Sequence, residues 1–589
     1  MGYTIAPPMP RTPDNSDEIL KQLEDVKSRF DSGSAAVINK LLSQLSKVEF
    51  TDPQHLIRFH ECLLFLRAFP HTPSLVSRVE RLLNNFHQRI SKLRASQANM
   101  SAFDDFDTSG IAGTTMQDTL SFDLAQWFVR RLPRNVEIAW NDYWDDDQSE
   151  RARGSIWPRF IPLLEEDSAV EANIRWRSWL DSARGRENPL LWLIGRFEQL
   201  PLPAGQRAEV YDSLRLPIRW KLENLKLSRT RNWTRPHRLY LHDAPLIQRS
   251  DVSLARELAR PAPRFEKLSA VPGESVMHAI REIMVVRYRE LYGTTLGDPQ
   301  SVVRADLGRG VVMHFWGLPP DRRLPLRAYL AGYTLKNGVP INYIEAIGLC
   351  EWIEVGFNTF YTYRQGETAW IYAQALRCLH ALTAAKSISI YPYQIGQNND
   401  EAIDSGAFWF YRKLGFRSGR ADLRKLCKRE EKRIAANQRY RTPARLLRRL
   451  AEAHMFYDIR PRAEISPAFA PEGPWETFSI YNLGLLINRR MSRDFNGDSQ
   501  EIRKASTNAT IRALGIDASR WSCTQMQSLE NWSLILAQIP ALSSWTPAEK
   551  DQLIKIIRAK SALNEMPYLR HTQHHPRLRA ELLRLGSTR

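Results

Sequence analysis

The feature that most constrains the fold of this chain is a group of short runs between residues 264 and 420, rich in β-branched and aromatic residues. VVMHFWGL, RAYLAGYTL, INYIEAIGL and GFNTFYTY are typical of strands, with turn signals between them. Lys336-Asn337-Gly338 predicts a hairpin, because Asn and Gly tolerate the positive φ that tight hairpin turns require. Helical patterns at about 274–291 and 367–382 flank the runs, and one more strand and helix follow. This order predicts a mixed α/β sheet with crossovers.

Helical patterns dominate on both sides of this region. Leu75, Val79, Leu82, Phe86 and Ile90 recur at helical spacing near the N-terminus. A chain of 589 residues has room for two to four domains. We therefore predict four regions, listed in chain order: a helical region 1–100, a helical region with loops 101–263, the α/β domain 264–420 and a basic helical region 421–589.

The formal net charge of +18 favours anionic partners such as nucleic acid or a phosphorylated cofactor. The surplus is concentrated at 421–450, which carries eleven Lys or Arg against three Asp or Glu. One interpretation is a pair of amphipathic helices with one solvated face. The other is a surface that contacts the phosphates of RNA or DNA.

Five scattered cysteines without a CxxC motif indicate free thiols in a reducing compartment and argue against a disulfide framework or a zinc ribbon. The first twenty residues lack the apolar core of a signal peptide. No run approaches eighteen apolar residues, so we expect no membrane span. We expect a cytoplasmic protein, and no ligand spacing predicts a metal site.

A candidate anion site lies where the strand-like run ending at Tyr363 meets the following helix. Arg364-Gln365-Gly366 forms the turn between them. Unpaired backbone amides and the positive end of the helix dipole converge at such a helix N-terminus and can bind phosphate. The alternative is an ordinary strand-to-helix turn.

Two segments together resemble the GNAT superfamily of acyl-CoA N-acyltransferases. Tyr363-Arg364-Gln365-Gly366-Glu367-Thr368 resembles the loop Gln/Arg-x-x-Gly-x-Gly/Ala, and Asp404 to Phe416 (DSGAFWFYRKLGF) resembles Asn-x-x-Ala-x-x-x-Tyr-x-x-x-Gly-Phe. The resemblance covers about a quarter of the chain. It implies a GNAT-like mixed sheet flanked by mainly α-helical N- and C-terminal regions. It also implies an acyl-CoA co-substrate held by Arg364, Gln365, Gly366, Glu367, Thr368, Ala369 and Asp404.

The resemblance further implies a catalytic role for Tyr411. A phenol with a pKa near 10 can protonate the thiolate that leaves when an amine attacks a thioester. The alternative is a helix aromatic packed on the sheet. For the general base, Glu345 and Glu354 lie on or beside predicted strands, where burial would raise a carboxyl pKa towards neutrality. Either residue can instead be an outward-facing strand carboxylate.

Three functions remain open from the sequence. The first is transfer of an acyl group from acyl-CoA to an unidentified amine by direct attack. The second is a non-catalytic GNAT-like scaffold that binds protein or nucleic acid, favoured because Tyr363 and Thr368 differ from the usual loop residues. The third is an aminoacyl-tRNA-dependent transferase, which the basic surplus at 421–450 would suit.

Overall fold

The computed structural model describes residues 15–144, 156–160, 176–223, 225–437, 439–460 and 474–587. The chain has a mixed α/β architecture, with a nine-stranded sheet at its centre and helices at both ends. In the described residues no helix is long and apolar enough to cross a membrane.

The elements that precede the large sheet are mainly helical. They are α1 Asn15–Val26, α2 Ser34–Lys47, α3 Pro53–Ala68, α4 Pro73–Asn84, α5 Phe86–Ala95, β1 Thr115–Thr119, α6 Phe122–Arg131, β2 Val136–Ile138, α7 Trp140–Trp144, α8 Trp176–Arg184, α9 Pro189–Glu198, α10 Ala204–Asp212, β3 Pro217–Lys221 and α11 Leu254–Leu258. Strands β1, β3 and β2 form a small antiparallel sheet that the sequence patterns did not predict.

The elements of the large sheet begin at residue 265. They are β4 Phe265–Lys267, α12 Ala270–Val285, α13 Tyr292–Thr295, β5 Val303–Asp306, β6 Val311–Trp316, β7 Ala328–Lys336, β8 Val339–Leu349, β9 Trp352–Thr359, α14 Thr368–Thr383, β10 Ser387–Ile390, α15 Asp400–Asp404, α16 Ala407–Lys413, β11 Arg417–Ser418, α17 Ala421–Ala436, α18 Ala444–Leu450 and β12 Met455–Asp458. The C-terminal helices are α19 Pro474–Thr477, α20 Ile480–Phe495, α21 Ser499–Leu514, α22 Cys523–Leu536, α23 Pro547–Lys560, α24 Met566–Gln573 and α25 Pro576–Gly586.

The large sheet has the strand order β11-β12-β10-β9-β8-β7-β6-β5-β4. Every neighbouring pair is antiparallel except β9 and β10, which are parallel and joined by α14. A parallel pair needs a crossover connection, and α14 supplies it between β9 and β10. The strand β12 lies between β10 and β11, although it is the last strand in chain order.

The predicted hairpin is confirmed. Asn337 (φ 50°) and Gly338 (φ 77°) form a two-residue turn between β7 and β8. The Asn337 amide also donates to the carbonyls of Ala68 (2.9 Å) and Tyr240 (3.0 Å), which ties the turn to the N-terminal helical region.

The segment from Asp404 to Phe416 differs from the single helix that its pattern indicated. Gly406 adopts φ 69° and separates α15 from α16. Left-handed backbone at this position interrupts the helical hydrogen bonds, and glycine accepts it without steric cost.

The sheet also extends beyond residue 420, because Met455–Asp458 pairs with both β10 and β11. The strand is only four residues long and follows a basic helical segment, so its pattern is weak. One continuous apolar core joins the N-terminal helices, the large sheet and the C-terminal helices, from Leu20 to Leu582. A second core lies in the middle region, around Trp220 and Phe128.

Candidate functional site

The pairing of β9 with β10 ends before β9 does, because β10 is only four residues long. The two strands pair at Trp352, Ile353 and Glu354, and the pairing then stops. The strand β9 continues to Thr359 while still paired with β8 on its other side. Within the described chain, residues 355–359 therefore have no strand partner on the β10 side. We call this opening the strand gap.

The two faces of the sheet at the strand gap carry different groups. Glu345 pairs with Gly356 in the antiparallel register, so both residues lie on the same face. The next residue, Phe357, faces the other way and packs on Tyr372 of α14, with ring centroids 4.9 Å apart. We call the face that carries Glu345 and Gly356 the Glu345 face. It is the face opposite α14.

Glu345 is a half-buried carboxylate on this face. Its partner is the Tyr329 hydroxyl of β7, which donates to it. Tyr329 in turn packs closely on Gly293 of α13. Burial raises the pKa of Glu345, and the hydrogen bond from Tyr329 offsets only part of that rise. A carboxylate with a raised pKa is suited to accept a proton near neutral pH.

Glu354 lies at the point where β9 and β10 separate, and it is engaged by a histidine. His454 Nε2 is 3.2 Å from a Glu354 oxygen, and His454 Nδ1 is 3.5 Å from Glu476. Burial by itself would lower the pKa of His454, but the two carboxylates outweigh it and raise the pKa to about 9. The ring is therefore positive at neutral pH. Glu354 is engaged by this cation, whereas the partner of Glu345 is a neutral hydroxyl, so Glu345 is the better candidate of the two.

The loop predicted to hold pyrophosphate is enclosed on one side. A β-carbon at Gly366 would collide with the ring of Phe69, the residue that follows α3. The side chain of Glu367 is fully buried and ion-paired with Arg309 and with Lys336, whose Nζ is 3.2 Å away. Burial opposes ionisation of Glu367, but Lys336 and Arg309 outweigh it and lower its pKa. Glu367 is thus a structural carboxylate at the start of α14.

The other side of this loop retains features of an anion site. The backbone amides of Thr368, Ala369 and Trp370 have no hydrogen-bond acceptor in the part of the chain that the structure describes. Arg364 pairs with Glu401 and lies over the Tyr361 ring, while Gln365 is exposed. Free amides at a helix N-terminus favour an anion.

Tyr411 of α16 lies on the α14 side of the sheet. Its side chain is 5% exposed and packs edge-on against Tyr372 (ring centroids 5.6 Å) and Phe416 (5.9 Å). Burial raises its pKa, so the phenol is neutral at physiological pH. Asp404, at the end of α15, is exposed. The geometry fits both a packing role for Tyr411 and a proton-donating role, and its catalytic role stays a prediction.

Four polar residues at the strand gap were missed by sequence reasoning: Arg289, Tyr343, Gln394 and His454. They come from the segment after α12, from β8, from the segment after β10 and from the residue before β12, so no local pattern links them. One available signal was Gly356, because an isolated glycine inside a strand pattern often marks a close approach.

The basic segment 421–450 forms α17 and α18. Arg448 and Arg449 are ion-paired with nearby carboxylates. Four other cations are exposed at helical spacing along one side of α17: Lys425, Lys428, Arg429 and Lys432. We call these four residues the basic stripe.

Comparison of the chain with protein-family models, with curated proteins and with solved structures gave no match.

Proposed function

We propose that this protein is an N-acyltransferase of the GNAT type, which transfers an acyl group from acyl-CoA to an amine. The observation that carries the proposal is the strand gap, where the pairing of two parallel strands joined by a helix ends at Glu354, on the face that also carries Glu345. Among the described residues the edge of β9 from 355 to 359 has no strand partner on this side, so its backbone groups can pair with an extended donor. The free amides of α14 support the same proposal.

The reaction would proceed by direct attack. The amine nitrogen attacks the thioester carbon, and Glu345 takes one proton from that nitrogen. The carbon–sulfur bond breaks, and the leaving thiolate takes a proton from the phenol of Tyr411. Glu345 and Tyr411 lie on opposite faces of the sheet, and Tyr411 is linked to the strand gap through Tyr372, which packs on Phe357 of β9. The His454 imidazolium adds positive charge where the gap opens.

Binding of the donor is tested by thermal melts of the full chain with saturating acetyl-CoA and longer acyl-CoAs. A ligand at 100 times its Kd stabilises the folded state by about 2.7 kcal/mol. We expect a rise in Tm with at least one acyl-CoA. Gly366 is a poor site for a variant that tests this loop, because any side chain there would collide with Phe69. Arg364→Glu is a better choice, because Arg364 is partly exposed. No shift with any acyl-CoA, confirmed by calorimetry, would favour a scaffold.

Tyr411→Phe tests the proton donor, because it keeps the ring and removes only the hydroxyl. We expect turnover to fall about 10²-fold or more, with little change in acyl-CoA affinity. Slow acyl-CoA hydrolysis serves as the assay until an acceptor is known. Tyr411→Ala is the control for packing, and should lose roughly 3 kcal/mol of stability. Equal rates for wild type and the Phe variant would remove Tyr411 from the mechanism.

A second candidate donor is aminoacyl-tRNA. Phe69 and the buried Glu367 enclose one side of the pyrophosphate loop, and the basic stripe provides four exposed cations for phosphates. An aminoacyl ester would place its acyl group in the same strand gap without requiring a pyrophosphate on α14.

For this candidate we expect tRNA binding to weaken steeply with salt. Replacing Lys425, Lys428 and Lys432 by Gln should reduce the slope of log affinity against log salt by roughly 0.7–0.9 for each contact removed. The matched control is Arg448→Gln, since Arg448 is already paired with Asp400. Filter binding at several salt concentrations measures this, and an unchanged slope would contradict it.

A further inference from the structure

The acceptor amine is the component of the proposed reaction that the sequence leaves open, and the Glu345 face contains groups that select it. Glu345 and Gly356 form one layer across β8 and β9, and Tyr343 and Asn358 form the next layer on the same face. Side chains two residues apart along a strand are separated by about 6.7 Å. One small molecule can therefore contact both layers.

The first layer has a glycine where other strand residues carry a side chain. Gly356 has no side chain, and a β-carbon built there would lie 3.8 Å from Glu345 Cβ and 3.5 Å from the side-chain nitrogen of Gln394. The side-chain oxygen of Gln394 is buried and has no hydrogen-bond partner among the described residues. A buried polar atom without a partner is costly, and a ligand that donates hydrogen bonds would satisfy it. The Gln394 amide group, whose nitrogen is the atom nearest this point, and Glu345 both lie on the Gly356 side of the sheet, and the unpartnered Gln394 oxygen and the Glu345 carboxylate are the acceptors that they carry.

The second layer has a cation for an anionic group. Arg289 follows α12 and donates to the Tyr343 hydroxyl at 3.2 Å, with its guanidinium 5.8 Å from the Tyr343 ring centroid. In the described parts of the chain no carboxylate lies within ion-pair distance of Arg289. The guanidinium has five N–H donors, so the bond to Tyr343 fixes its position and leaves donors for a carboxylate.

We propose that the acceptor is a small amino acid, whose amine lies over Gly356 between Glu345 and Gln394 and whose carboxylate binds Arg289. This rests on the proposed acyl transfer, since the amine is then placed beside the base. An α-amino acid presents its ammonium and carboxylate a few ångströms apart, and two hydrogen bonds complete the span between the layers. A simple amine would lack the contact with Arg289. An N-acetylated amino acid would lack the charged amine between Glu345 and Gln394.

The test measures binding without any acyl donor, so that it is independent of catalysis. The full chain is melted with each of the twenty L-amino acids at millimolar concentration. For the one that raises Tm most, the decarboxylated amine and the N-acetyl derivative are compared by calorimetry. We expect the amino acid to bind and both analogues to bind at least tenfold more weakly, because each loses a charge-assisted contact.

Two variants assign the contacts. Arg289→Gln should weaken amino-acid binding about tenfold or more while leaving amine binding unchanged. Gly356→Ala should weaken both, because the methyl group fits the fold at ordinary contact distances but fills the space above Glu345. Arg304→Gln, a partly exposed arginine on β5, is the matched control and should bind as wild type does.

The inference is overturned if no amino acid binds, if the decarboxylated amine binds equally well, or if Arg289→Gln changes nothing. Amino-acid binding without acylation by any acyl-CoA would refute the proposed donor and leave the acceptor site standing. Acylation of simple amines without amino-acid binding would refute the amino-acid site and leave the proposed acyl transfer standing.

Discussion

Glu367→Gln is expected to lower the free energy of unfolding by about 3–5 kcal/mol, because it removes the carboxylate that neutralises two cations at the start of α14. Lys336 is fully buried and Arg309 is partly buried, and both contact this carboxylate. Burial, opposed by Glu367, already lowers the pKa of Lys336 to about 8. Without Glu367 its charged form is further disfavoured. Urea unfolding followed by tryptophan fluorescence measures the loss.

The matched control is the exposed neighbour Gln365→Ala, which should change stability by less than about 0.5 kcal/mol. The double variant Lys336→Met with Glu367→Gln should recover part of the loss, because it also removes the buried ammonium. A Glu367→Gln protein as stable as wild type would show that the cluster is open to water. Such a result would reopen this loop as an anion site.

Glu345→Gln is expected to lower kcat/KM for acyl transfer by about 10²–10⁴-fold, the usual range for loss of a general base. In wild type the rate should rise with pH as Glu345 ionises, at a pKa above the ordinary value for glutamate because of burial. In the Glu345→Gln variant the rate should lack this rise with pH. Rates measured between pH 4.5 and 9 with one acyl-CoA and one acceptor test both expectations.

Stability distinguishes this role from a structural one. The folded-state pKa of Glu345 is raised above the unfolded value, so between these two pKa values the unfolded chain binds fewer protons than the folded chain. Ionisation therefore reduces the stability of wild type above about pH 4.5, and the Gln variant should be no less stable than wild type at pH 7. Glu266→Gln, an exposed strand carboxylate, is the control for activity. An unchanged pH profile in Glu345→Gln would exclude Glu345 as the base.

Local patterns were sufficient for several elements of the fold. The positive φ values of Asn337 and Gly338 follow from side-chain chemistry, so the hairpin could be read from three residues. The helix 367–382 was predicted within one residue of α14, because its apolar spacing and the glycine turn before it are local signals. Gly406 shows the limit of such signals, since its effect depended on a left-handed φ that the aromatic pattern around it masked.

The candidate site depended on contacts that no local pattern contains. Glu345 and Glu354 were identified by sequence, but only the structure shows that Glu345 pairs with a glycine and that Glu354 meets His454, a residue one hundred positions later in the chain. The sequence by itself determined the hairpin and the crossover helix, because these follow from short-range backbone preferences and apolar spacing. The tertiary structure decided that Glu367 is buried against Lys336 and that Gly366 meets Phe69, because burial and ion pairing arise from packing between segments distant in the chain.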